Sequence, residues 1–322
     1  VRRLGHDIRL VQLGPCHAKR LIRHWRCFGC LPHPHRHGHG IVDHAGLERV
    51  VGRLLDGGVA GIFILGTTGE GPSLSDRLRQ ETISAVCNLV QGRIPVLVGI
   101  TETCLTAAIE LAKVAEECGA DAVVTAPPYY FSPDSRELVR YVERITDSIG
   151  LPMVVYNIPS LTGCFFDFDA IRQLMQHDRI IGFKDSSGDM LYFHKMLQLI
   201  RQRPDWTVLM GPEELTAEAV LMGAHGGING GANVHPRLYV DLCAAALAGD
   251  LARTRELHLQ VLDLAGRLYS VGTGSAPVIK GIKAALDVMG VCRDVCAEPL
   301  IPLAGPEKLL VRQHLRDLGL LE

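Results

Sequence analysis

Lys184 stands in unusual company for a lysine. It follows the run Ile180-Ile181-Gly182-Phe183, which reads as a strand covered on both faces. Lysine is seldom fully buried. An ammonium taken from water must find a partner, or the amine must give up its proton. An uncharged amine attacks a ketone, and the protonated imine that results is an electron sink for breaking a bond at the adjacent carbon. A surface lysine in a salt bridge is the plainer reading. The other lysines, Lys19, Lys113, Lys195, Lys280, Lys283 and Lys308, fall in no strand pattern. Tyr156 ends the preceding apolar run, 28 residues earlier. A phenol there could move protons for Lys184, or could simply pack at a rim. In Gly66-Thr67-Thr68-Gly69-Glu70-Gly71, Gly66 and Gly69 permit a tight turn with close backbone approach. Thr67 and Thr68 then offer hydroxyl and N–H donors to a carboxylate.

Elements that could hold these residues recur along the chain. From position 41, amphipathic helices at 43–57, 75–91, 104–118, 134–149, 167–177, 189–202 and 213–223 each lead into a short apolar strand. The strands end in Gly, Pro or small polar residues. Alternation of this kind predicts right-handed βαβ units and a parallel sheet. The fold class is α/β, a (β/α)8 TIM barrel, which needs an eighth strand before position 41. Further helices at 236–248, 250–270, 277–289 and 306–319 make the final barrel helix and a C-terminal helical extension. The expected division is therefore 1–40, a barrel over 41–235, and the helical region 236–322. In such barrels chemistry sits where strands end. That rule selects residues 66–71, 127–131, 156–163, 184–188, 211–214 and 226–233.

Those stretches, GTTGEG, PPYYF, YNIPSLTG, KDSSG, GPEE and GGINGGAN in this order, resemble the dihydrodipicolinate synthase / N-acetylneuraminate lyase family. Its members are class I aldolases that form a lysine Schiff base with pyruvate or another 2-oxo acid. The resemblance runs from about residue 41 to at least 300. It implies the imine at Lys184, proton transfer by Tyr156, and a carboxylate grip and proton relay by Thr67 and Thr68. Glu70 resembles a structural acid that holds the turn. Tyr130 matches a tyrosine that in many relatives crosses a dimer interface into the neighbour's relay. Ile228 and Asn229 match a segment beside the imine, with Ser186 and Gly211 as further substrate-binding positions. The resemblance implies no cofactor and no metal, and a homotetramer built as a dimer of dimers, while the scattered cysteines lead to the expectation of a cytoplasmic enzyme.

One position departs from the pattern. Lysine-biosynthetic relatives usually carry an arginine after YNxPS, where it binds a second carboxylate; here the slot is Leu161. An apolar side chain cannot replace that bidentate contact. Sialic acid lyases are more similar here, and they place two acids, for binding sugar hydroxyls, where this chain has Glu213 and Glu214. Acids in a first helical turn are the plain alternative. The expected reaction is reversible cleavage of a 2-oxo-3-deoxy sugar acid, or a related 4-hydroxy-2-oxo acid, to pyruvate and an aldehyde. Alternatives are 4-hydroxy-tetrahydrodipicolinate synthase, using pyruvate and aspartate semialdehyde, a 2-oxo-3-deoxy acid dehydratase, or a non-catalytic barrel that binds or regulates.

The front of the chain differs in kind. Residues 1–40 hold eight basic residues against one acid, Asp7, although the whole chain carries a net charge of only −2. That overall balance gives no reason to expect nucleic acid, and no run is long enough to span a membrane. Ten scattered cysteines form no short disulfide framework, so reduced thiols are expected. Cys27, Cys30, His33, His35, His37 and His39 are of zinc-ligand type. Pro32 and Pro34 interleave with them, and alternate residues of an extended chain face opposite sides. An Arg-rich, acid-poor targeting peptide is another reading of this segment. A third, a shifted reading frame or misassigned start, predicts that strand one is missing. An open barrel would expose two strand edges.

Overall fold

The computed structural model describes residues 27–30, 35, 36 and 40–322 apart from residue 273. Its elements, in chain order, are β1 (Cys27–Cys30), β2 (His35–Arg36), β3 (Ile41–Val42), α1 (His44–Asp56), β4 (Gly61–Ile64), α2 (Asp76–Val90), β5 (Val96–Gly99), α3 (Leu105–Glu117) and β6 (Ala122–Thr125). There follow α4 (Ser135–Ser148), β7 (Met153–Asn157), α5 (Pro159–Thr162), α6 (Phe168–Leu174), β8 (Ile180–Asp185), α7 (Met190–Ile200), β9 (Thr207–Met210), α8 (Thr216–Leu221) and β10 (Gly226–Asn229). The last helices are α9 (Pro236–Ala248), α10 (Leu251–Leu268), α11 (Pro277–Val288) and α12 (Gly305–Asp317).

Eight parallel strands close into a barrel in the order β1-β10-β9-β8-β7-β6-β5-β4, and β2 pairs with β3 in a separate two-stranded sheet. Strands β4 to β10 are buried along their whole length, as apolar runs between helix layers must be. Inward-facing Phe63, Leu97, Val124, Val154, Ile181 and Leu209 fill the barrel's own core. A larger apolar layer lies between strands and helices. Side-chain caps fix several helix starts. Ser75 accepts from the Leu78 N–H, and Asp134 forms a capping box with Glu137.

The missing first strand is corrected by the structure. Cys27–Cys30 pairs with β10 on one side and β4 on the other, so the barrel begins before residue 41. Parallel pairing is made by backbone groups, so residues of these types can supply it. The barrel has no open edge at this position. Cys27, Cys30, His33, His35, His37 and His39, offered as metal ligands, lie outside the residues whose side chains are described. A second difference concerns residues 213–223. This stretch is a 3-10 turn, Glu213–Leu215, running into α8, so the two acids stand on the turn.

Candidate active site

Strands β7 and β8 run side by side with Tyr156 level with Lys184 and Asn157 level with Asp185. The pairing brings the phenol and the amine together. The Lys184 Nζ lies 3.9 Å from the Tyr156 ring centroid and 5.1 Å from that of Phe63. Lys184 is 3% exposed. Among the described residues it makes no ion pair, so the two ring faces are its electrostatic company.

The turn after β4 reaches the same place. Thr67 Oγ1 lies 3.4 Å from the Tyr156 hydroxyl. The turn is wound tightly: Leu65 and Glu70 both have positive φ, 56° and 52°. Gly71 is required here, because a Cβ on it would fall 2.1 Å from the Leu65 carbonyl oxygen. Glu70 fixes the turn from behind. Its carboxylate is buried, pairs with the Lys283 ammonium and accepts from the Ala297 N–H at 2.8 Å. Lys283 also donates to the Val295 carbonyl at 2.7 Å. The GTTGE turn is thereby tied to α11 and the segment beyond it.

Asp185, next to Lys184, faces the other way. It accepts from Asn157 Nδ2 at 2.7 Å and from the Ser187 hydroxyl at 2.8 Å, and burial raises its carboxyl above the usual range. The Ser186 N–H donates to Asn157 O, and the Gly211 N–H to Asp185 O. A side chain on Gly211 would collide with the Ser186 hydroxyl. Asn229 donates to the Gly211 carbonyl and to Thr216. It braces the neighbouring loop and does not line the cavity.

Thr67, Thr68, Tyr156, Lys184, Ser186 and Gly211 line a cavity of about 280 Å³, together with Glu213, Glu214 and Ile228. A second cavity of about 240 Å³ shares Thr67, Tyr156, Ile158 and Ile279 with the first, and Phe63, Tyr129, Leu161 and Leu300 make it largely apolar. The Thr67–Tyr156 contact is thus a wall between two chambers. Lys184 is the one cationic side chain lining either chamber among the described residues. Leu161 is 59% exposed at the rim of the second.

Glu213 is wired inward. Its Oε1 accepts from the Tyr239 and Tyr269 hydroxyls at 2.5 and 2.8 Å, and its Oε2 from the Gly231 N–H at 2.9 Å. Burial pushes its carboxyl up to about 7. These bonds leave it little capacity for a substrate hydroxyl, whereas Glu214 lines the cavity without such engagement. Tyr130 is 82% exposed, packs edge-on against Phe131 and does not line the cavity of its own chain; Tyr129 faces the second chamber instead. Lys283, Tyr239, Tyr269 and Tyr129 escaped the reading of the sequence. A search for a partner to Glu70 would have pointed to a distant basic residue.

Comparison with known proteins agrees with this geometry. A model of the dihydrodipicolinate synthetase family matches residues 28–318, which takes in β1. The chain is 35% identical over 282 residues to the 4-hydroxy-tetrahydrodipicolinate synthase of Methanopyrus kandleri, covering 87% of this chain and 91% of that one. It is 36% identical over 271 residues to the enzyme of the same name from Thermomicrobium roseum, covering 84% and 87%. Among solved structures, dihydrodipicolinate synthase from Bacteroides thetaiotaomicron superposes with a TM-score of 0.89 at 39% identity, over 92% of this chain and 99% of that one. YagE, a prophage protein of the dihydrodipicolinic acid synthase family from E. coli K12 in complex with pyruvate, gives a TM-score of 0.86 at 29% identity, over 92% and 98%. Matches of this extent, on a closed barrel with a buried lysine beside a tyrosine, establish that the chain belongs to the dihydrodipicolinate synthetase family and is an enzyme, a lyase.

Proposed function

We propose that Lys184 condenses with the 2-oxo group of pyruvate or a related 2-oxo acid, and that the enamine derived from it makes or breaks a carbon–carbon bond to an aldehyde. The amine adds to the ketone carbon, the oxygen leaves as water, and the resulting iminium loses a proton from the adjacent carbon. In the forward sense that carbon attacks the aldehyde carbonyl, whose oxygen takes a proton. Water then hydrolyses the imine and frees Lys184. Tyr156, whose hydroxyl lies 3.4 Å from Thr67 Oγ1, carries these protons in this reading. Thr67 and Thr68, which line the same cavity, hold the carboxylate of the 2-oxo acid. The observation that carries the reading is the buried Lys184 amine, without a carboxylate partner among the described residues, against the Tyr156 ring in a cavity. The covalent imine needs no further cofactor.

The names of the relatives support 4-hydroxy-tetrahydrodipicolinate synthase, the union of pyruvate with aspartate semialdehyde, as the first reading of the reaction. A specific observation favours a second. No cation besides Lys184 lines either chamber among the described residues, and Leu161 occupies the slot of the carboxylate-binding arginine. An uncharged aldehyde, as released from a 2-oxo-3-deoxy sugar acid, suits that lining better. Losing the arginine contact costs on the order of 1.5–3 kcal/mol for a charged partner. Assembly as a homotetramer belongs to the same proposal, with exposed Tyr130 and Phe131 as candidates for burial between copies.

Borohydride reduction in the presence of pyruvate, followed by peptide mass analysis, tests the imine. A pyruvyl adduct on the Lys184 peptide, absent in Lys184→Ala, is expected; an unmodified Lys184 refutes the reading. Comparing kcat/KM for pyruvate plus aspartate semialdehyde with that for cleavage of a panel of 2-oxo-3-deoxy sugar acids then decides between the two reactions. Light scattering measures the assembly.

A further inference from the structure

Helix α11 begins unprotected. Pro277 takes its first position, and Ala276 before it makes no side-chain cap, so among the described residues the N–H groups of Val278 and Ile279 receive no side-chain acceptor. The side chains of these two residues line the chamber of Lys184. Lys280 follows. The residue is 9% exposed, and among the described residues its side chain makes no hydrogen bond and no ion pair. Its Nζ lies 3.9 Å from the point a Cβ on Gly274 would occupy, so the side chain curls back over the start of its own helix. Gly274 has a φ of +92°, which suits glycine, and its bare backbone leaves that approach open.

An ammonium at the positive end of a helix dipole meets like charge. Lys283, one turn further along, escapes this through Glu70; Lys280 has no such counterion. Glu307 approaches the neighbouring Gly272, but it caps α12 by accepting from the Ala304 N–H.

We propose that Lys280, the first amides of α11 and the backbone at Gly274 bind a single anionic group, a carboxylate or a phosphate, beside the lysine-imine chamber and separate from it. The anion accepts from the Lys280 ammonium and from the uncapped N–H groups and so supplies the missing counterion. The site stands on its own geometry and does not depend on the imine reading.

Thermal unfolding of the full chain tests it, with inorganic phosphate and acetate as the two probes and sodium chloride at matched ionic strength as the control. The melting temperature should rise saturably with at least one probe beyond the chloride effect, and the stronger of the two identifies the anion class. Lys280→Met keeps the length of the side chain without its charge; it should fold and bind the probe about tenfold or more weaker. Lys280→Arg should retain the response. If Lys280→Met does not fold, Lys280→Gln takes its place. Equal responses in the neutral variant and the parent overturn the proposal, as does a parent that follows ionic strength alone. The titration is repeated on protein whose Lys184 carries the reduced pyruvyl group. Persistence of the response is expected; its loss shows that the anion occupies the imine chamber and overturns a separate site. Failure of that adduct to form bears on the imine reading alone, since the titration of unmodified protein is complete in itself.

Discussion

Lys184 and Lys283 are both buried, at 3% and 1% exposure, and they keep different company. Lys283 meets the Glu70 carboxylate and the Val295 carbonyl. Lys184 meets two aromatic rings and, among the described residues, no acid. The first is a closed account of charge inside a helix layer. The second is an unneutralised amine at the end of a strand, where a cavity opens. Burial alone therefore does not tell these two lysines apart; the counterion does. Acids divide in the same way. Glu70 has a lysine, whereas Glu213 has only hydroxyls and an N–H.

Exchanging the roles of the two lysines is the sharpest way to break this contrast. Lys184→Ala should lower turnover by about 10³-fold or more and abolish borohydride trapping, with little change in the urea midpoint. A large loss of stability instead would make Lys184 structural. Lys283→Met should show the reverse. It strands the Glu70 carboxylate and should cost about 3–5 kcal/mol in urea unfolding, while the folded fraction still traps pyruvate on Lys184. Adding Glu70→Leu to it should recover part of that loss, because the uncompensated charge is gone. Tyr156→Phe removes the hydroxyl from the wall with Thr67 and should slow turnover by about 10²-fold, with the melting temperature almost unchanged.

The smallest expected effect concerns Glu213. Its folded carboxyl sits near 7 against an ordinary 4.5, so the folded chain keeps a proton that the unfolded chain releases. Stability from this group should therefore be fullest below about pH 4.5, fall as pH rises toward 7, and level off above it. The slope within that window is at most about 1.4 kcal/mol per pH unit. Glu213→Gln should flatten the profile between these limits; an unchanged slope would assign the pH dependence to another group.

The barrel was largely legible because its strands are local apolar runs and its helices are periodic and capped. The bounds of α1, α2, α3 and α4 fall within a residue or so of those read from the pattern. Lys184, Tyr156, Thr67 and Thr68 were legible for the same reason, since strand ends converge on one face. Three things were hidden. Cys27–Cys30 lacks the look of a first strand, and only its pairing with β4 and β10 reveals it. Lys283 was passed over because it lies on a helix, and its partner is 213 residues away. Tyr239 and Tyr269 meet Glu213 only when α9 and α10 pack. Partners of buried charges are chosen by tertiary packing, which no local pattern encodes.

The tie from Glu70 to Lys283 and Ala297 has a practical outcome for anyone reshaping the molecule. Trimming the chain after its eighth strand would preserve a complete cylinder and cut the splint behind Thr67 and Thr68. The tail helices thus hold that turn in place, and a graft that swaps them must bring its own anchor for the acid.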